Sequence, residues 1–223
     1  ARESTAPTGQ TISASNLVFD FTYSDQTLTQ IVDLNTMQDT KQDVQITARK
    51  LKESAVWNSA TSSYDWTTVG AQGILFGIYT AWDIRDTAGN TLVPAGSLVD
   101  LMLTDATGMA RSSADLPFGL YYAKELNVTA DIIIDSETTY PLTANPSSDQ
   151  TQAVVTVPVN GGQAILNREI AGRLEIYKTG SDTRLPLQGV EFEVYNATGY
   201  LVQKLVTDVN GRARTMVLPY GQY

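Results

Sequence analysis

The chain has 223 residues, a net charge of −9, and neither cysteine nor histidine. Those absences exclude disulfides, thiol nucleophiles, zinc sites built on Cys or His, and any Ser-His-Asp triad. An acidic chain with no basic patch argues against nucleic acid as a partner, and no apolar run is long enough to insert in a membrane.

In chain order, the strong period is two. "NLVFDFTYSD" puts Leu17, Phe19, Phe21 and Tyr23 on one face, and "DVQITARK" does the same for Val44, Ile46, Ala48 and Lys50. "GRLEIYK" aligns Leu174, Ile176 and Lys178, and "VEFEVYNATGYLVQKLVTD" reads as a hairpin turning at Thr198-Gly199. No long amphipathic pattern stands out, so the spacing predicts an all-β chain built of sandwiches. Two of these strands end in a lysine on the apolar face, which is costly unless the amine is paired or neutral. The alternative is a strand end whose lysine reaches back to water.

The chain also repeats itself. "GILFGIYTA" (73–81) matches "GVEFEVYNA" (189–197), "MLTDATGMA" (102–110) matches "LVTDVNGRA" (205–213), and "DLPFGLYYAKE" (115–125) matches "VLPYGQY" (217–223). The order is the same in both copies, and each copy follows a strand ending in lysine, Lys50 or Lys178. The first copy carries extra residues around "WDIRDTAGNTLVPAGSLVD". Asp-Ala-Thr-Gly and Asp-Val-Asn-Gly read as tight turns, and Leu-Pro-aromatic-Gly as a corner into the next strand. "ARESTAPTGQ" looks like the sequel to "LPYGQY". The expectation is therefore a C-terminal half-domain at 1–37, a complete domain at 38–170 and an N-terminal half-domain at 171–223.

The ordered set of strand-Lys, "PL.G..F..Y", "TD..G.A", "LP.G.Y...E" and a late Asn resembles the CnaB or SpaA-like domains of Gram-positive surface proteins and pilins. "RESTAPTGQ" is similar to that family's E-box, with Gln10 in place of the usual aromatic. The resemblance implies transthyretin-like (prealbumin-like, Ig-like) β-sandwiches. It also implies an autocatalytic isopeptide bond between a first-strand Lys and a last-strand Asn or Asp, promoted by a middle-strand Glu. On the complete domain these are Lys50 (fallback Lys52), Asn167 and Glu125. On the half-domains they are Lys178 and Asn35 (fallback Asp33), with Glu3 assisting.

The chemistry requires a neutral amine, and burial disfavours the charged forms of amines and carboxylic acids alike. A carboxylic acid beside the amide can hydrogen-bond its carbonyl oxygen and carry protons to the leaving ammonia, while the folded core supplies proximity. The reaction occurs once, so the chain is expected to be a structural protein and no enzyme, with no cofactor and no metal. Asp83, Asp86 and Asp100 show no calcium-ligand spacing. The expected location is extracellular, in a cell-wall-attached protein or pilus, with neighbouring copies of the same domain as partners.

Two alternatives stay open. The first is an adhesin that recognises a host protein or glycan through Trp57, Tyr64, Trp66 and Trp82. The second is a strand-complemented head-to-tail fibre with an intermolecular Lys178–Asn35 bond. Register bears on the latter: Glu125 lies six residues after Gly119, whereas joining Tyr223 to Ala1 would put Glu3 five after Gly221, on the opposite face.

Overall fold

The computed structural model describes residues 1–19 and 36–223, and within them the chain is almost entirely β. Two sheets face each other in its larger part. One is a four-stranded antiparallel sheet. The other is organised around a single long strand, β1 (Asp43–Asn58). The strands that follow are β2 (Ser63–Gly70), β3 (Leu75–Thr80), β4 (Leu98–Leu103), β5 (Met109–Arg111), β6 (Gly119–Glu125), β7 (Thr139–Ala144), β8 (Val154–Pro158) and β9 (Ile165–Asn167). The four-stranded sheet has the order β7-β6-β3-β4. In the other, β2 and β5 run antiparallel to β1, while β8 and β9 run parallel to it.

The period of two explains β1. Val44, Ile46, Ala48 and Lys50 are all buried, at 0%, 0%, 2% and 0% exposure. They face Ile74, Phe76, Ile78, Met102, Tyr121 and Ala123 in one continuous hydrophobic core. Each large apolar side chain in such a core contributes about 1.5–3 kcal/mol. That sum is what holds Lys50, the one cation of the row, out of water. Parallel pairing of β1 with β9 sets Ile165 beside Lys50 and Asn167 beside Lys52. Side chains two apart share a face, so Asn167 projects toward the same interior as Lys50.

The C-terminal strands are β10 (Ala171–Gly172), β11 (Glu175–Tyr177), β12 (Glu191–Tyr195), β13 (Leu201–Val206), β14 (Arg212–Arg214) and β15 (Leu218–Pro219). They pair as β10 with β15, β11 with β14, and β12 with β13. The expected hairpin is the β12–β13 pair, turning through Asn196–Gly199. Val194, Leu205 and Ala213 form a second, smaller core with Ile176 and Phe192 against it. Of the apolar row expected on 174–178, Ile176 is half-buried while Leu174 and Lys178 are exposed.

The first segment differs from expectation. Leu17 and Phe19 lie in no strand, and Phe21 and Tyr23 fall outside the described residues. Instead Arg2 bridges to Asn16, and Gln10–Thr11 pairs with Thr40–Lys41. Gln42, fully buried, fastens this region: its amide nitrogen donates to the carbonyls of Asp149 and Gln152, at 3.0 Å each, and its oxygen accepts from Ser147 N–H at 3.2 Å. Three satisfied contacts are what allow an amide to sit there.

Candidate functional site

Lys50, Glu125 and Asn167 meet in the larger core. Lys50 comes from the middle of β1, Asn167 from the end of neighbouring β9, and Glu125 from the end of β6 in the facing sheet. Their exposures are 0%, 1% and 3%. Lys50 Nζ donates to Glu125 Oε2 at 3.0 Å and to Asn167 Oδ1 at 2.5 Å, and Asn167 Nδ2 donates to Glu125 Oε1 at 2.6 Å. The three groups close a ring in which each touches the other two. Phe76, the register partner of Glu125, sits below the amine with its ring centre 6.0 Å from Nζ.

Burial pushes the Lys50 amine below its ordinary pKa, opposed by the hydrogen bond and charge of Glu125 and by the charge of Asp135. The backbone around Lys50 is equally fixed. Its N–H donates to Gly108 O at 2.7 Å and its carbonyl accepts from Ala71 N–H at 3.1 Å. Gly108 has φ +81°, and a Cβ there would stand 2.0 Å from Lys50 O. Only glycine fits this turn.

One orientation differs from the expected chemistry. The amide nitrogen of Asn167, not its oxygen, faces Glu125. Rotation of the amide about Cβ–Cγ exchanges the two contacts.

Lys52 shares the inward face but sits at the rim, in an ion pair with Asp131, so it does not join the ring. Asn35 and Asp33 lie outside the described residues. Glu3 accepts a hydrogen bond from Ser13 N–H at 2.7 Å and is hydrogen-bonded to Asp39. Desolvation, followed by that hydrogen bond and the Glu3 charge, pushes the Asp39 carboxyl above the usual range. Asp39 was not among the expected residues. The available signal was spacing: it precedes Lys50 by eleven residues, as Asn167 precedes Lys178.

Lys178 is exposed and has neither a glutamate nor an asparagine against it among the described residues. Its backbone nevertheless repeats that of Lys50 bond for bond. Lys178 N–H donates to Gly211 O at 2.7 Å, and its carbonyl accepts from Leu187 N–H at 3.0 Å. Thr104 Oγ1 accepts from Ile74 N–H and donates to Ala71 O; Thr207 Oγ1 does the same with Val190 and Leu187. The corners match as well: Tyr121 OH donates to Pro117 O at 2.6 Å and Tyr223 OH to Pro219 O at 3.0 Å.

Of the aromatic residues, Trp66 and Trp82 are exposed, whereas Trp57 and Tyr64 are half-buried against the C-terminal strands. Among the described residues no helix is long and apolar enough to cross a membrane.

The fold and the lysine-bearing repeat define a chain of prealbumin-like β-sandwich units. The SpaA family of prealbumin-like fold domains matches residues 172–223. No curated protein matches the sequence. Among solved structures, the Bacillus anthracis TIE protein aligns at TM-score 0.57 and 20% identity, over 99% of this chain and 34% of that one. The chain thus spans about a third of that protein's length, and the likeness shows a shared fold. The major pilin SpaD of Corynebacterium diphtheriae aligns at TM-score 0.36 and 13% identity, covering 80% of this chain and 53% of its own. GBS52, a minor pilin of Streptococcus agalactiae, aligns at 0.30 and 17%, covering 76% of each.

Proposed function

We propose that the chain is a structural segment of an extracellular stalk, pilin or adhesin, and that Lys50 and Asn167 join in an autocatalytic isopeptide bond promoted by Glu125. The ring of contacts among these three buried side chains carries the reading. Glu125 takes a proton from Lys50 through Oε2, leaving a neutral amine. The amine attacks Asn167 Cγ, forming the new C–N bond. Glu125 gives that proton to Nδ2 from its other oxygen, the old C–N bond breaks to release ammonia, and the Glu125 carboxylate so regenerated takes the second proton from the new amide nitrogen. Lys-NH₂ and Asn-CONH₂ become one amide plus NH₃, with no other reactant. The buried core keeps both reacting groups in contact and strengthens each hydrogen bond. The depressed pKa of Lys50 makes deprotonation easier than for an exposed lysine.

On this reading residues 38–170 form a complete domain, with parts of a preceding and a following one on either side. Intact mass under denaturing conditions tests it. Loss of one ammonia from the sequence mass, abolished by Glu125→Ala, is the expected result; an unreduced mass rules the bond out.

The repeated hydrogen bonds around Lys178 favour a second element. Lys178 is the crosslinking lysine of the following unit, and its Glu and Asn partners come from another copy. A covalent ladder on a denaturing gel that disappears in Lys178→Ala would identify the intermolecular case.

A further inference from the structure

We propose that the β1–β2 arm is a clamp on the following unit, a docking surface whose partner is the Asn196–Tyr200 turn together with the Pro219–Tyr223 corner. Beyond Lys52, where pairing with β9 ends, the arm is an insertion outside the larger core. The bond between Lys50 O and Ala71 N–H recurs between Lys178 O and Leu187 N–H, and there a short loop takes the place of the arm. What the arm adds lies outside the larger core. Trp57 stacks on Tyr200, with ring centres 6.2 Å apart and planes at 25°. Tyr64 meets Trp57 edge-on at 5.1 Å and 69°. Tyr223 OH reaches the Tyr64 hydroxyl at 3.5 Å.

The connection between the two cores is drawn into the same joint. Glu169 accepts a hydrogen bond from Ala55 N–H of the arm at 2.8 Å. Ile170 N–H donates to Asp131 O at 2.7 Å on one side, and Ile170 O accepts from Tyr220 N–H at 2.8 Å on the other. Arm, connection and following unit therefore hold one another in pairs. Two sandwiches joined by a short connection are expected to swing when their interface is small and polar. Here an aromatic stack braces them, and the partner it fits is a SpaA-type unit with a tyrosine just past its hairpin glycine. Trp66 and Trp82, exposed elsewhere, have no such partner among the described residues.

Limited trypsin digestion tests the clamp, following cleavage after Arg168 and Arg173 in the connection and after Arg85 in the exposed Ile84–Arg85/Thr91–Val93 ribbon as internal control. An aromatic pair of this kind corresponds to a roughly two- to ten-fold change in opening. Trp57→Ala and Tyr200→Ala are expected to speed cleavage at Arg168 and Arg173 by that factor with Arg85 unchanged, and Trp57→Phe to stay near wild type. Small-angle scattering is expected to show a more variable particle for the two alanine variants. Unchanged cleavage at the connection overturns the proposal. So does equal acceleration at Arg85, which would mean general loosening. The clamp does not rest on the crosslink, and the same ratios are expected in the Glu125→Ala background.

Discussion

Lys50 Nζ and Asn167 Oδ1 stand 2.5 Å apart across 117 residues of sequence. Because β9 runs parallel to β1, no hairpin brings them together. The whole sandwich has to close before the pair forms, so the contact reports completed folding.

Bond formation at this pair predicts a branched peptide. Proteolysis and mass spectrometry of wild type are expected to join the peptides bearing Lys50 and Asn167. Lys50→Ala, Asn167→Ala and Glu125→Ala are each expected to lose the branch. Lys52→Ala is expected to keep it, because Lys52 is committed to Asp131 at the rim. A branch at Lys52 would reassign the site.

The buried charges make a second prediction, best read in Asn167→Ala, where no bond forms. Adding Lys50→Met leaves Glu125 alone in the core and is expected to cost about 3–5 kcal/mol in urea unfolding. Adding Glu125→Leu as well removes the stranded charge and is expected to recover most of that loss. Equal stability of the double and triple variants would show that Glu125 finds water or another partner.

The pH dependence follows from the amine. In Asn167→Ala the folded state holds Lys50 at a depressed pKa, while the unfolded chain titrates near the ordinary value of 10.5. Between those two values the unfolded state binds more protons, so stability rises with pH. Unfolding at neutral and at mildly alkaline pH is expected to show the rise in Asn167→Ala, and to show it removed in Asn167→Ala/Lys50→Met. A flat profile in the former would mean that Lys50 titrates normally.

Two glycines separate backbone strain from close approach. Gly89 has φ +88° with open space around its missing side chain, and Gly89→Ala is expected to cost about 1–2 kcal/mol for its left-handed backbone alone. Gly108→Ala adds a collision with Lys50 O and is expected to cost more and to leave part of the chain unbonded by mass. Identical effects would show that the turn yields easily.

Much of the larger core was legible because alternation is a local property. Val44, Ile46, Ala48 and Lys50 announce their common face, and the Asp-x-x-Gly turns announce the repeat. The period says nothing about which strand lies beside which, so the parallel pairing of β8 and β9 with β1 could not be read from it. Glu125 and Asn167 were named by the family resemblance, not by their local pattern. Gln42 is invisible for a different reason: an amide becomes a core residue only where three distant backbone groups converge on it. Trp57 was recognised as a candidate contact, but its stacking partner Tyr200 belongs to the other copy of the repeat. The Glu3–Asp39 contact followed a spacing rule that a motif centred on Leu-Asn obscures.

Parallel pairing of the first and last strands also decides what a pulled molecule can give up. With a covalent bond between Lys50 and Asn167, tension entering at β1 leaves through β9 and the connection at Arg168. The chain between them, a separation of 117 in sequence, forms a closed loop outside the load path. At about 3.3–3.6 Å per extended residue, that loop withholds roughly 400 Å of chain. With the proposed bond in place, such a unit stretches hardly at all under load.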